Sequence, residues 1–170
     1  MKKIVIVING SGGAGKDTLC EMADKHYKTM NVSSIDPIKK IAKENGWNGD
    51  KSEKSRKFLA DLKNLFVEFN DLPLKYLLDE YAIFQQSDDE IMFVHIREPK
   101  EIAKFKAEIG ENCYTLLIRG REGARTEWNN ESDDAVENYD YDFYYKNCKP
   151  LEEAEEDFIS FMKEMLKKIG

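Results

Sequence analysis

Five consecutive β-branched residues, Ile4, Val5, Ile6, Val7 and Ile8, open the apolar pattern of the chain. A run with no polar alternation predicts a strand buried on both faces, as in a parallel sheet covered by helices. The period then changes: Leu19, Met22, Ala23 and His26 or Tyr27 recur at helical spacing, with Glu21, Asp24 and Lys25 between them. A short strand is expected over 31–36, and Pro37 starts a helix over 37–45 that Gly46 closes. The strongest amphipathic stretch is 52–69, where Phe58, Leu59, Leu62, Leu65, Phe66 and Phe69 make one apolar face, capped by Asp50 or Ser52. A second helix, joined near Asp71 and Pro73, carries Leu74, Leu77, Leu78 and Tyr81 on one face.

After a polar break at 85–90, residues 91–97 predict a second buried strand and 99–109 a helix with Ile102, Phe105 and Ile109 inward. Residues 113–118 form the next strand, and 127–140 are polar, with a helical turn at 133–137. Phe143, Tyr144 and Tyr145 mark a final strand. Pro150 opens a last helix whose apolar face, including Ala154, Phe158, Met162 and Met165, suits it to cover the sheet. Strands alternating with helices in this way predict an α/β chain with a parallel sheet.

At 170 residues, 41% of them hydrophobic, the chain is read as one compact domain over 1–170. Lys+Arg 26 against Asp+Glu 33 gives a net charge of −7, which argues against bulk attraction to nucleic acid or an anionic membrane. A phosphate site must therefore be built locally. The first apolar run is too short for a signal peptide or a membrane span, so a cytoplasmic location is expected. Cys20, Cys113 and Cys148 are odd in number and widely spaced, and all three are expected to be reduced.

The chemistry concentrates after the first strand. Gly10, Gly12, Gly13 and Gly15 let the backbone turn and let several N–H groups converge on one anion, and Lys16 adds a point charge where a helix begins. Gly10-x-x-x-x-Gly15-Lys16 matches the phosphate-binding loop pattern, except that Asp17 stands where Ser or Thr is usual. Ala14 and Thr18 complete the loop.

Three further places offer parts. Asp36 lies at the carboxyl end of a predicted strand, where open α/β sheets bind ligands; it is either a proton acceptor and substrate contact or the cap of the next helix. Arg97 ends another strand, where it forms a phosphate fork or an ion pair. Arg56 is either a clamp for a second phosphate or a solvated charge. Arg119, Arg121 and Arg125, interleaved with Gly120 and Gly123, suit a lid that neutralises charge during transfer, with a plain solvated loop as the alternative. Trp47, Tyr76, Tyr81 and Phe84 are candidates to stack on a base or to fill the core.

Taken together, the strand, loop and helix at the start, the strand–helix alternation and the late arginine loop resemble the P-loop nucleoside monophosphate kinases. GKDT at 15–18 is most similar to the phage-type deoxynucleoside monophosphate kinases and the animal phosphomevalonate kinases. SSIDPIKKIA from residue 33, HIREPKEI from residue 95 and YDYDFYYKN at 139–147 agree. The resemblance implies a three-layer α/β/α P-loop fold with a five-stranded parallel sheet, an acceptor-binding helical region around 37–85 and a lid around 119–138.

It implies ATP with magnesium as donor and small-molecule nucleotides as partners. The backbone and side chains of 12–18 would hold the ATP phosphates, with Asp17 as the candidate magnesium ligand. Arg97 and Arg56 would hold the acceptor, and Arg119, Arg121 and Arg125 would neutralise charge at transfer. His95 stands where these families often carry an Asp two residues before the Arg. Competing readings are a kinase for a dephospho-coenzyme A or phosphomevalonate type of acceptor, and a nucleotide-binding regulator without catalysis.

Overall fold

The computed structural model describes residues 2–120 and 135–170. Strands β1 (Ile4–Gly10), β2 (Thr29–Ser33), β3 (Ile91–His95), β4 (Cys113–Arg119) and β5 (Phe143–Lys146) form one sheet. Their order is β2-β3-β1-β4-β5, and every pairing is parallel. Helices α1 (Lys16–Asp24), α2 (Asp36–Glu44), α3 (Glu53–Asn70), α4 (Leu72–Gln86), α5 (Pro99–Ile109) and α6 (Leu151–Ile169) complete the described elements.

β1 is central, with β3 on one side and β4 on the other, so neither its faces nor its edges meet water. Its alternate residues divide the core. Ile4, Ile6 and Ile8 pack with Leu19 and Met22 of α1 and with Phe158 and Met162 of α6. Val5 and Val7 point the other way, onto Leu77 and Phe84 of α4 and Ile102 and Phe105 of α5. The unbroken apolar run is thus explained, because both sides of the strand are covered by helices. Truncating a fully buried phenylalanine such as Phe105 or Phe158 to alanine costs roughly 3–5 kcal/mol.

A third, smaller cluster lies away from the sheet, where Ile38 and Ala42 of α2 meet Leu59, Leu62 and Phe66 of α3. Here the expected apolar face of α3 is only half used. Phe58, Leu65 and Phe69 are 44%, 63% and 80% exposed, because α3 packs on α2 and α4 and has no sheet beneath it. Ser52, rather than Asp50, caps α3, its hydroxyl accepting the Ser55 N–H at 3.2 Å. Asp50 instead accepts from the Ser55 hydroxyl at 2.6 Å.

Strand limits shift as well. β1 runs on to Gly10, which pairs with Ile118, while β2 covers 29–33 and not 31–36. β3 stops at His95, opposite Ser33, since its edge partner ends there, and Arg97 lies beyond the ladder. Residues 121–134, with Arg121, Arg125 and the start of the expected turn at 133–137, lie outside the described residues. Cys20, Cys113 and Cys148 are free thiols, and no described helix is long and apolar enough to cross a membrane.

Candidate active site

The strand order brings the carboxyl ends of β1, β3 and β2 side by side, with Ile8 opposite His95 and His95 opposite Ser33. The chain leaves each end at once into the glycine-rich loop, into Ile96 and Arg97, and into α2. These exits line one cavity of about 640 Å³, whose far wall is the 47–51 loop and α3. Residues from Ser11 to Thr18 form its floor, and Asp36, Lys39, Arg56, Lys63, His95 and Arg97 project from the other elements.

The loop has the geometry its glycines predict. Gly13 and Gly15 both have φ near +84, a left-handed conformation that side chains disfavour. Gly15 is also the N-cap of α1 and makes no side-chain capping bond, so the first N–H groups of the helix face the loop. A Cβ on Gly15 would stand 2.5 Å from the Asn147 side chain, and one on Gly10 2.8 Å from the Ile118 carbonyl. Asn147 donates its side-chain N–H to the Ala14 carbonyl at 2.9 Å, tying the end of β5 to the loop. Beneath it, fully buried Asn9 donates to the Arg97 carbonyl at 3.1 Å and to the Tyr141 hydroxyl at 2.8 Å. Its side-chain oxygen accepts the Gly10 N–H at 2.9 Å. Neither asparagine was singled out as a site residue from the sequence, because each acts through a partner more than eighty residues away.

Positive charge collects here. Lys16 is pushed down to about 8, by burial first and then by Arg97. Arg97 is lowered by burial and then by Arg56, and Lys39 by burial against an upward pull from Asp36. Cations that depress one another in a shared cavity are arranged for an anion. The glycine cradle, the open helix end and Lys16 together fit a polyphosphate.

Asp17 is 86% exposed at the loop and faces His95 at 3.8 Å. Among the described residues no three His, Cys, Asp or Glu side chains converge on a metal position. Magnesium bound to a nucleotide takes one or two carboxylates besides phosphate and water oxygens, so Asp17 fits it as a single protein ligand.

His95 is lowered to about 4, by burial and then by Lys16, and is therefore neutral near pH 7. Its Nε2 lies 3.2 Å from the Asn31 side-chain oxygen and 3.9 Å from the Cys20 sulfur. Asp36 is the first residue of α2 and makes no capping bond to that helix. Its carboxylate accepts the Ser33 N–H at 2.9 Å and the Tyr76 hydroxyl at 3.4 Å, which fixes it on the cavity wall.

Arg119 is not brought to the cavity. It forms a two-pronged pair with Glu137 at 3.2 and 3.1 Å, and its guanidinium lies over the Tyr144 ring. Of the four aromatic candidates, Trp47 alone lines the cavity, its ring N–H donating to the Ser55 hydroxyl at 3.1 Å. Phe84 is in the core, and Tyr76 and Tyr81 pack against the α4–α5 side. Lys39 and Lys63 also reach the cavity. They carried no sequence signal beyond their place on apolar helices.

No protein-family model matches the chain, and no curated protein matches it. Among solved structures it is similar to a shikimate kinase from Bacteroides thetaiotaomicron, with 14% identity, 96% of this chain and 98% of that chain covered, and a TM-score of 0.52. A sugar kinase from Janibacter sp. HTCC2649 gives 14%, 97% and 95%, and 0.50. A protein from Thermus thermophilus gives 18%, 96% and 98%, and 0.53. At such identities the likeness is one of fold, and the fold is the α/β arrangement of the P-loop kinases with its five-stranded parallel sheet.

Proposed function

We propose that the chain is a phosphotransferase that moves the γ-phosphoryl group of ATP to a nucleoside or deoxynucleoside monophosphate. The observation that carries this reading is the gathering of Lys16, Lys39, Arg56 and Arg97 around one cavity that begins at a phosphate loop and ends between α2 and α3. One phosphate group needs fewer cations than this; a triphosphate donor beside a phosphorylated acceptor uses them all. The GKDT loop and the Arg97 position support the monophosphate kinase subfamily, and the kinase fold of the structural neighbours supports phosphotransfer in general.

In this reading residues 12–18 hold the donor phosphates, and Lys16 balances the charge that develops between donor and acceptor. Asp17 would hold magnesium, which when bound would supply further charge neutralisation. Arg97, Arg56 and Lys39 orient the acceptor phosphate, and Asp36, already holding Tyr76, accepts a hydrogen bond from the acceptor. For Arg119 to serve at the transfer point, its pair with Glu137 must open.

The test is ADP release with ATP and magnesium against the eight common ribo- and deoxyribonucleoside monophosphates, shikimate, a hexose, phosphomevalonate and dephospho-coenzyme A. Turnover is expected with one or more monophosphates and is expected to fall at least a thousandfold in Lys16→Ala with the fold intact. Undiminished activity in that variant sinks the assignment. Preference for an unphosphorylated acceptor overturns the acceptor class. A second reading, a nucleotide-binding regulator without turnover, draws on His95, which puts a neutral ring where a carboxylate would face the donor. It requires ATP binding with no transfer to any acceptor in the panel.

A further inference from the structure

Lys63 lies near the middle of α3 on the side opposite the exposed Phe58, Leu65 and Phe69, and its side chain is only 3% exposed. A lysine rarely enters an interior unless its charge is met on several sides. Here its ammonium donates to the Ser34 hydroxyl at 2.8 Å and pairs with Glu98 at 2.5 Å and Glu101 at 3.0 Å. The three partners belong to two corners of the sheet. Ser34 follows β2, and its N–H donates to the His95 carbonyl at 3.0 Å. Glu98 follows Arg97 directly, and Glu101 is in the first turn of α5.

This contact joins two regions with separate apolar clusters, which also meet where α2 and α3 pack on α4. α2 and α3 pack through their own small cluster around Ile38, Ala42 and Leu59, while the sheet is packed by α1, α4, α5 and α6. One cavity wall, carrying Lys39 and Arg56, is built on the small cluster; the other, carrying Arg97 and the glycine loop, is built on the sheet. The separation of those walls sets how well a single acceptor phosphate can meet Arg56 and Arg97 together.

We propose that Lys63 is a positioning residue, an ionic clasp that holds the acceptor-side helices against the β2 and β3 corners and so fixes the spacing of Arg56 and Lys39 from Arg97. Its ammonium is engaged at the cavity wall by Ser34, Glu98 and Glu101. Its effect falls on the acceptor, because the proposed donor cradle is built from β1, α1 and Asn147, while the hydrogen bond and ion pairs of Lys63 go to Ser34, Glu98 and Glu101. Arginine keeps a positive charge at this position, whereas methionine is of similar length with no charge. The proposal rests on the kinase reading for its activity arm and on the coordinates alone for its second arm.

The experiment compares wild type, Lys63→Met, Lys63→Arg and Ser34→Ala, using ATP and whichever nucleoside monophosphate the wild type phosphorylates best. Lys63→Met is expected to raise the acceptor KM about tenfold while the ATP KM stays within twofold. Lys63→Arg is expected to recover most of that loss, and Ser34→Ala, which removes one arm, to raise the acceptor KM two- to threefold. Equal effects on both KM values, an unchanged acceptor KM, or no recovery by arginine overturns the positioning role. If Lys63→Met does not fold, Ser34→Ala decides the same question.

Amide hydrogen exchange supplies the arm that needs no turnover. In Lys63→Met, or in Ser34→Ala where methionine is not tolerated, amides of α3 are expected to exchange at least tenfold faster while those of β1 and β3 keep their protection. Wild-type exchange in α3 overturns the clasp whatever the activity. A wild type that transfers phosphate to no acceptor removes the kinase reading, and the exchange result still stands or falls separately.

Discussion

Binding of a polyphosphate at the loop, if the proposed function holds, has a proton signature whose sign the burial of Lys16 fixes. Burial, and then Arg97, lower this ammonium from 10.5 to about 8 in the empty protein. A bound triphosphate favours the charged form and returns the group toward its ordinary range. At pH 8 the empty protein holds about half a proton on Lys16 and the complex about one, so binding takes up roughly 0.5 proton, and at pH 9 roughly 0.9. Affinity is then flat below pH 8 and declines by up to about tenfold per pH unit above it, until the lysine of the complex itself titrates.

The empty fold responds in the opposite sense. Between 8 and 10.5 the unfolded chain keeps a proton that the native lysine has lost, so stability rises with pH across that window, by up to ~3 kcal/mol from this group. Isothermal titration of ATP in buffers of different ionisation enthalpy, at pH 8 and 9 where the phosphates of ATP are fully ionised, reads the uptake directly. Zero uptake at pH 9, proton release, or an affinity that grows with pH refutes the reasoning.

Two further predictions concern the neighbours of that lysine. His95 is held down to about 4 while the unfolded histidine titrates near 6.5, so the unfolded chain binds the extra proton first and stability rises with pH between 4 and 6.5. Acidification across that window should cost ~3 kcal/mol through this residue, and His95→Asn should flatten the slope of urea-unfolding stability against pH; an equal slope in the variant rejects it. Gly13→Ala and Gly15→Ala share a φ near +84, so each carries a conformational cost of about 1 kcal/mol, but only the second drives a Cβ to 2.5 Å from Asn147. Gly13→Ala should bind ATP within tenfold of wild type and Gly15→Ala should lose at least a hundredfold by titration; similar affinities in the two would show that the Asn147 contact is not decisive.

Much of the architecture was legible because its signals are local. The β-branched run at 4–8 marked the central strand, the prolines at 37, 73, 99 and 150 fell at or beside helix starts, and Gly110 ended α5. The same local reasoning stopped short on α3. Its six apolar residues read as one apolar face, and Phe58, Leu65 and Phe69 on it are exposed, since periodicity states which residues share a face and not whether anything covers it. It left Asp36 open between a site role and a helix cap, for whether a carboxylate caps its own helix or bonds back to Ser33 depends on where the strand before it ends.

The proposed donor half is legible in the sequence alone, because a glycine-rich loop with its lysine and helix start is one contiguous segment that acts on the same few ångströms of space. The proposed acceptor half depends on the tertiary structure. Only the order β2-β3-β1 sets Asp36, His95 and Arg97 beside the loop, and only the packing of α3 across that end adds Arg56 and Lys63. Strand order follows from which faces and edges bury the most apolar surface across the whole chain, and no spacing within the sequence encodes it. Asn9, Asn147 and Lys63 owe their roles to partners brought in by that order, so each reads as an ordinary polar residue until the sheet is assembled.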